Sequence, residues 1–85
     1  MPPWFVYLLR CADNSLYCGI TTDMDRRLKQ HNAGTASKYT RVRRPASVAA
    51  LAKVTDKSAA LKLEIRVKKQ PRNKKIDFLL STRSQ

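Results

Sequence analysis

Acid is what this chain has least of. Its 85 residues carry six Asp+Glu, with Glu64 the lone glutamate, against 18 Lys+Arg, for a formal charge of +12. A fold tolerates such self-repulsion most readily when its partner is a polyanion, so nucleic acid leads. An anionic membrane surface is the weaker alternative, because no long helix sets a basic face against an aromatic one. A ribosome-associated or simply soluble basic protein carries the same charge. Cysteine is scarce too. Cys11 and Cys18 form no CxxC pair, no zinc set and at most one disulfide, which points to free thiols in a reducing compartment. Long apolar runs are missing: Trp4–Leu9 spans six residues with no basic residue before it, so neither a signal peptide nor a membrane span is expected. The expected location is the cytoplasm. Without repeats, linkers or low-complexity tracts, residues 1–85 read as one domain, whose single core buries about 60–65% of the unfolded surface.

What is present is unevenly spread. Residues 1–25 hold one basic residue and three acids, whereas residues 26–45 hold seven basic residues and no acid. The chain from Thr21 to Gly34 reads as an amphipathic helix with both ends marked. Thr22 or Asp23 caps its start, and Asn32-Ala33-Gly34 supplies residues that adopt a left-handed conformation and end it. At 3.6 residues per turn, Met24, Arg27, Leu28 and His31 fall on one stripe, with Arg26 and Lys29 pointing away. The inward edge therefore carries an arginine and the chain's single histidine. A purely structural helix puts apolar residues there.

Before this helix, Trp4–Cys11 and Ser15–Ile20 are β-like runs around the turn chemistry of Ala12-Asp13-Asn14. A two-residue turn sends Tyr7 and Tyr17 to opposite faces. A three-residue loop with left-handed Asn14 pairs Leu9 with Tyr17 and Tyr7 with Gly19, puts both tyrosines on one face and leaves room beside the Tyr7 ring; this register is favoured. Either tyrosine alone reads equally as a strand residue with a wet hydroxyl. After the helix, Thr35–Pro45 reads as a surface loop. Its Lys38, Arg41, Arg43 and Arg44 suit phosphates and Tyr39 suits a base or sugar, with a merely solvated basic loop as the alternative. Ala46–Val54 is a third strand beside the hairpin.

Residues 55–69 are ambiguous. Leu61–Lys68 alternates strictly, the strand template, but Asp56 or Thr55 can cap a helix, Ala59–Lys62 are helix formers and Pro71 follows. As a helix from about Lys57 to Lys69, its apolar arc takes in Ala60, Leu61, Leu63, Ile65 and Val67, with Glu64 inside it. An inward carboxylate must be paired, bound to a cation or protonated. Residues 72–81 give a short terminal helix with Ile76, Leu79 and Leu80 inward. The fold class is α/β (α+β), a small three-stranded antiparallel sheet flanked by helices, in the order ββαβαα.

This set of residues resembles the GIY-YIG nuclease domain, in the form of its small stand-alone members. Phe5-Val6-Tyr7 looks like the family's first element and Tyr17-Cys18-Gly19 like its Tyr-x-Gly. Arg27 takes the place of its arginine, His31-Asn32 resembles its His-Asn pair, Lys38-Tyr39-Thr40 is similar to the small members, and Glu64 corresponds to its metal-binding glutamate on a helix. Phe5-Val6 replaces the literal Gly-Ile, Cys18 the middle isoleucine, and Ile20 a lysine of some members. Asn73 is the candidate for the carboxy-terminal asparagine of larger members.

The resemblance implies phosphodiester hydrolysis on DNA with one divalent cation, Mg²⁺ or Mn²⁺, held by Glu64. Tyr7 would take a proton from the attacking water and Tyr17 would orient it. Arg27 would favour the Tyr7 phenolate and stabilise charge on the phosphate. His31 would position Tyr7 or Arg27, or shuttle a proton; otherwise it is a histidine satisfied at a helix end. The competing expectation is a catalytically inactive nucleic-acid-binding module of the same fold.

Overall fold

The computed structural model describes residues 2–82. In chain order it has β1 (Trp4–Arg10), β2 (Leu16–Thr21), α1 (Met24–Asn32), a one-turn α2 (Lys38–Arg41), β3 (Ser47–Val54), α3 (Lys57–Lys68), a 3-10 turn at Arg72–Lys74 and α4 (Lys75–Ser81). The sheet runs β2-β1-β3, with both pairings antiparallel. The fold is therefore α+β, as the sequence predicts.

The central place of β1 follows from its composition. A strand covered on both faces needs apolar residues at every position rather than every second one. Val6 and Leu8 point into a core with Ala50, Ala52, Ala60, Leu63, Val67 and Leu79, beneath α3 and α4. Tyr7 and Leu9 point the other way, into a smaller cluster with Cys11, Ala46 and the α1 residues Met24 and Leu28. One face of the sheet thus holds most of the apolar packing. The other is where polar chemistry is buried.

The hairpin adopts the predicted register. Cys11 N–H donates to Ser15 O at 2.9 Å, Asn14 has φ 70°, and Tyr7 pairs with Gly19 and Leu9 with Tyr17. The caps also follow the sequence: Asp23 Oδ1 accepts from Arg26 N at 3.1 Å, and Asp56 Oδ1 accepts from Ala59 N at 2.8 Å. Gly34, at φ 82°, sits just past the end of α1.

Three local expectations are corrected. Thr35–Pro45 is not all loop, because Ser37 Oγ accepts from Tyr39 N (3.0 Å) and Thr40 N (3.4 Å) and starts α2. Residues 57–68 are helical despite their alternation, but Leu61 (42% exposed) and Ile65 (54% exposed) lie outside the apolar arc. At about 100° per residue, Ala60, Leu63 and Val67 define the buried stripe, and Leu61 and Ile65 fall nearly opposite Leu63. Glu64 sits at the rim of that stripe rather than inside it. In α4, Leu79 is buried, whereas Leu80, about 100° further round, is 38% exposed. Among the described residues no helix is long and apolar enough to cross a membrane.

Candidate active site

The register places Tyr7 and Tyr17 on the α1 face, with ring centroids 6.4 Å apart. Gly19 makes this possible: a Cβ there would lie 2.6 Å from Tyr7 Cζ, well inside contact distance. His31, buried in the last turn of α1, completes the group, its ring centroid 5.8 Å from Tyr7 and 5.2 Å from Tyr17.

A directed chain of hydrogen bonds runs through His31. Tyr7 Oη lies 2.8 Å from His31 Nε2, and His31 Nδ1 lies 2.7 Å from Thr40 Oγ1. The Thr40 hydroxyl has one proton, and it is given to Ser37 O at 3.4 Å. The assignment that satisfies all three contacts has Thr40 Oγ1 accepting from a protonated Nδ1, with Nε2 accepting from the Tyr7 hydroxyl. Burial first, then the Arg27 charge, hold His31 below its ordinary pKa of 6.5, which keeps it neutral and able to accept.

Arg27 is half-buried one turn before His31, and its charge acts on both His31 and Tyr7. For Tyr7 the balance runs against the sequence expectation. Burial raises its pKa most, the neighbouring Tyr17 raises it further, and Arg27 lowers it by less. The unliganded site holds Tyr7 as a phenol. Neither the Arg27 guanidinium nor the Tyr17 hydroxyl makes a hydrogen bond among the described residues, so both are free for substrate.

Glu64 belongs to α3, which packs on the face of the sheet opposite the tyrosines. Burial first, then the Glu64 charge, push the Cys18 thiol up to about 12, and the same charge is the least of the influences on Tyr7. The Glu64 side chain is 17% exposed and pairs with Lys68 at 3.5 Å. Among the described residues no set of three His, Cys, Asp or Glu side chains could hold a metal. One carboxylate fits a hard divalent cation only as a single protein ligand, with oxygens of water and substrate filling the rest. Cys11 and Cys18 are free thiols.

The basic segment divides into anchors and free ends. Arg43 stacks on Tyr39 with Cζ 3.9 Å from the ring centroid, bonds Asp13 Oδ2 at 3.0 Å through Nε and donates to Tyr39 O at 2.9 Å. Ala12 N–H donates to Arg43 O at 2.9 Å, tying the same residue to the hairpin turn. Arg44 donates to Arg41 O at 2.9 Å and to Asn32 O at 3.3 Å. Lys38 and Arg41 are exposed, with side chains free of partners. Tyr39 continues the ring cluster, 5.8 Å from Tyr17. Asn32 serves the backbone instead, exchanging hydrogen bonds with Ala46 N (2.7 Å) and Ala46 O (3.0 Å). Asn73 is exposed in the 3-10 turn and lines a cavity at the hairpin end. Sequence reasoning missed Thr40 as the partner of His31; the one available clue was its place at the end of a Ser-capped turn.

The model of the GIY-YIG catalytic domain matches residues 3–77. A UPF0213 protein of Vibrio cholerae serotype O1 is 53% identical over 74 residues, covering 86% of this chain and 73% of that protein. The UPF0213 protein YhbQ of Escherichia coli is 48% identical over 75 residues, 88% of this chain and 75% of its own length. Among solved structures, the solution structure of a UPF0213 protein from Bacillus halodurans is 42% identical with a TM-score of 0.56, covering 94% of this chain and 84% of that one. The solution structure of a protein from E. faecalis has a TM-score of 0.67 at 36% identity, covering 100% of this chain and 91% of that one.

Proposed function

This chain belongs to the GIY-YIG catalytic domain family, a nuclease-type family, and we propose that it is a metal-dependent endonuclease that hydrolyses phosphodiester bonds in DNA, residues 1–85 acting as one nuclease domain. The observation that carries this reading is the 2.8 Å bond from Tyr7 to a neutral His31, beside Tyr17 and within reach of the Arg27 charge. A lone tyrosine is a poor base at neutral pH. Here the phenol has somewhere to send its own proton. As Tyr7 Oη accepts a proton from the attacking water, it passes its own to His31 Nε2, and the resulting imidazolium keeps its Nδ1 proton on Thr40.

Tyr17 orients the water or a phosphate oxygen, and Arg27 offers its fork of donors to the charge that develops on the phosphate. Glu64 would hold Mg²⁺ or Mn²⁺, displacing Lys68. The bound cation would supply Lewis-acid polarisation of the phosphate and support for the leaving oxygen. Lys38, Arg41 and the Tyr39 face meet the DNA, while Arg43 and Arg44 brace them. Buried free thiols favour the cytoplasm, and work in DNA repair or processing fits the chemistry.

Nicking of supercoiled or branched DNA with Mg²⁺ or Mn²⁺ tests the reading. Tyr7→Phe, Arg27→Ala and Glu64→Ala should each lose cleavage by about 100-fold or more, on the scale of a lost acid–base or electrostatic group. Equal activity in all four proteins would sink it. The raised pKa of Tyr7 and the Lys68 ion pair favour a second reading, an inactive DNA-binding module. In that case binding survives all three substitutions and no protein cleaves.

A further inference from the structure

The catalytic face leaves unexplained a cavity of about 520 Å³ at the hairpin end of the sheet, lined by Arg10, Leu16, Arg72, Asn73 and Ile76. Arg10 and Leu16 project from β1 and β2 toward the α3–α4 side, and the other three come from the 3-10 turn and the start of α4. The cavity is thus separate from the tyrosine pair, which lies across the sheet. Its volume is in the range of ordinary small-molecule sites.

Both arginines are anchored on one residue. Arg10 Nη1 lies 3.4 Å from Asn14 Oδ1, and Arg72 Nη2 donates to Asn14 O. Each guanidinium has five N–H donors, so most on both remain unused. The ion pairs among the described residues are Arg43–Asp13 and Lys68–Glu64, and neither reaches this cavity. Two cations tethered to the same turn, neither in an ion pair among the described residues because Asp13 beside them is taken by Arg43, make a locus that an anion would relieve. Leu16 and Ile76 belong to the partly buried edge of the main core and give the cavity an apolar wall. Lys75 fixes that wall, donating to Val67 O at 3.1 Å and Lys68 O at 3.0 Å across the end of α3. Paired guanidiniums beside carbon surface suit a phosphate joined to a sugar or base better than a bare anion.

We propose that this cavity is a subsite for a nucleotide flanking the scissile bond, its phosphate gripped by Arg10 and Arg72 and its sugar or base laid on Leu16 and Ile76. The proposal rests on the DNA-hydrolysis reading for the identity of the strand. Its position fits: Leu16 lies three residues before Gly19 on the exposed edge strand, about 10 Å along it at 3.3–3.4 Å per residue. A strand held at Tyr17 and Arg27 can round that edge and place its next units here.

Binding measured without divalent cation separates this idea from the chemistry. Labelled branched DNA is titrated by fluorescence anisotropy against wild type and Arg10→Gln/Arg72→Gln over a salt series. The double variant should bind at least about 10-fold more weakly, and its slope of log K against log[salt] should flatten by about 0.9 units, for the one phosphate left without its arginines. Unchanged affinity and slope would overturn the subsite. A second measurement needs no variant. Titration of wild type with the dinucleotide d(TpT) should shift the NMR amides of Leu16, Asn73 and Ile76, and shifts confined to Tyr17, Arg27 and Tyr39 would count against it. If wild type cleaves no DNA yet shows both effects, the nuclease reading fails and the subsite stands. Normal cleavage with neither effect is the reverse.

Discussion

Thr40 decides which way the protons of the buried ring cluster point. Donating to Ser37 O, its hydroxyl accepts from His31 Nδ1, and that leaves Nε2 for Tyr7. Thr40→Val keeps the shape and removes the acceptor. A buried N–H left unmatched costs about 1–3 kcal/mol, which for a domain of this size lowers Tm by roughly 4–8 °C per kcal/mol. The ¹⁵N shifts of the imidazole should show mixed tautomers, cleavage should fall with them, and Thr40→Ser should restore both. His31 gives a pH signature of definite sign. Its folded pKa lies below the ordinary 6.5, so between the two values the unfolded chain binds more protons. Stability is fully present above 6.5 and is lost as pH falls from there through the folded pKa. Thermal melts should show this decline in wild type and a flatter profile in His31→Gln. At this scale the sequence was legible where periodicity governs: Asn14 and a period of two put both tyrosines on one face. It was not legible for Thr40, because a bond between side chains nine positions apart across a break in the helix has no period.

Among the elements, α3 shows why two patterns can compete in one stretch. Alternation over Leu61–Lys68 is the strand signal, but the Asp56 cap, the alanines and Pro71 all favour a helix. Once a helix forms, only the residues that land on the sheet are buried. Ala60, Leu63 and Val67 do so; Leu61 and Ile65 were counted as core because they are apolar, not because their angle suits. Leu63→Ala should cost about 2–5 kcal/mol in urea unfolding, whereas Leu61→Lys or Ile65→Lys should stay within about 0.5 kcal/mol of wild type. Comparable losses at all three positions would mean the helix is rotated from the placement described. Glu64, at the rim of the same stripe, is 17% exposed and paired with Lys68 one turn on.

For the whole molecule, apolar packing and buried polar chemistry are divided between the faces of one sheet. Composition announced a polyanion partner, and the ordered set Tyr7, Tyr17, Arg27, His31 and Glu64 announced the family. The division of the basic residues into free and tethered ones was hidden, because a guanidinium looks the same in sequence whether it faces solvent or a carbonyl. Asp13 is the instructive case. It is exposed, and its pKa is held down by hydrogen bonds from Ser15 and then by Arg43. Through Arg43 it buckles the hairpin tip to the segment that carries Tyr39. Asp13→Asn makes the protein one unit more cationic, and simple attraction would then tighten its hold on DNA. The buckle argues the reverse: anisotropy titration should show weaker binding, because an unclasped arm must be re-ordered each time the polymer docks.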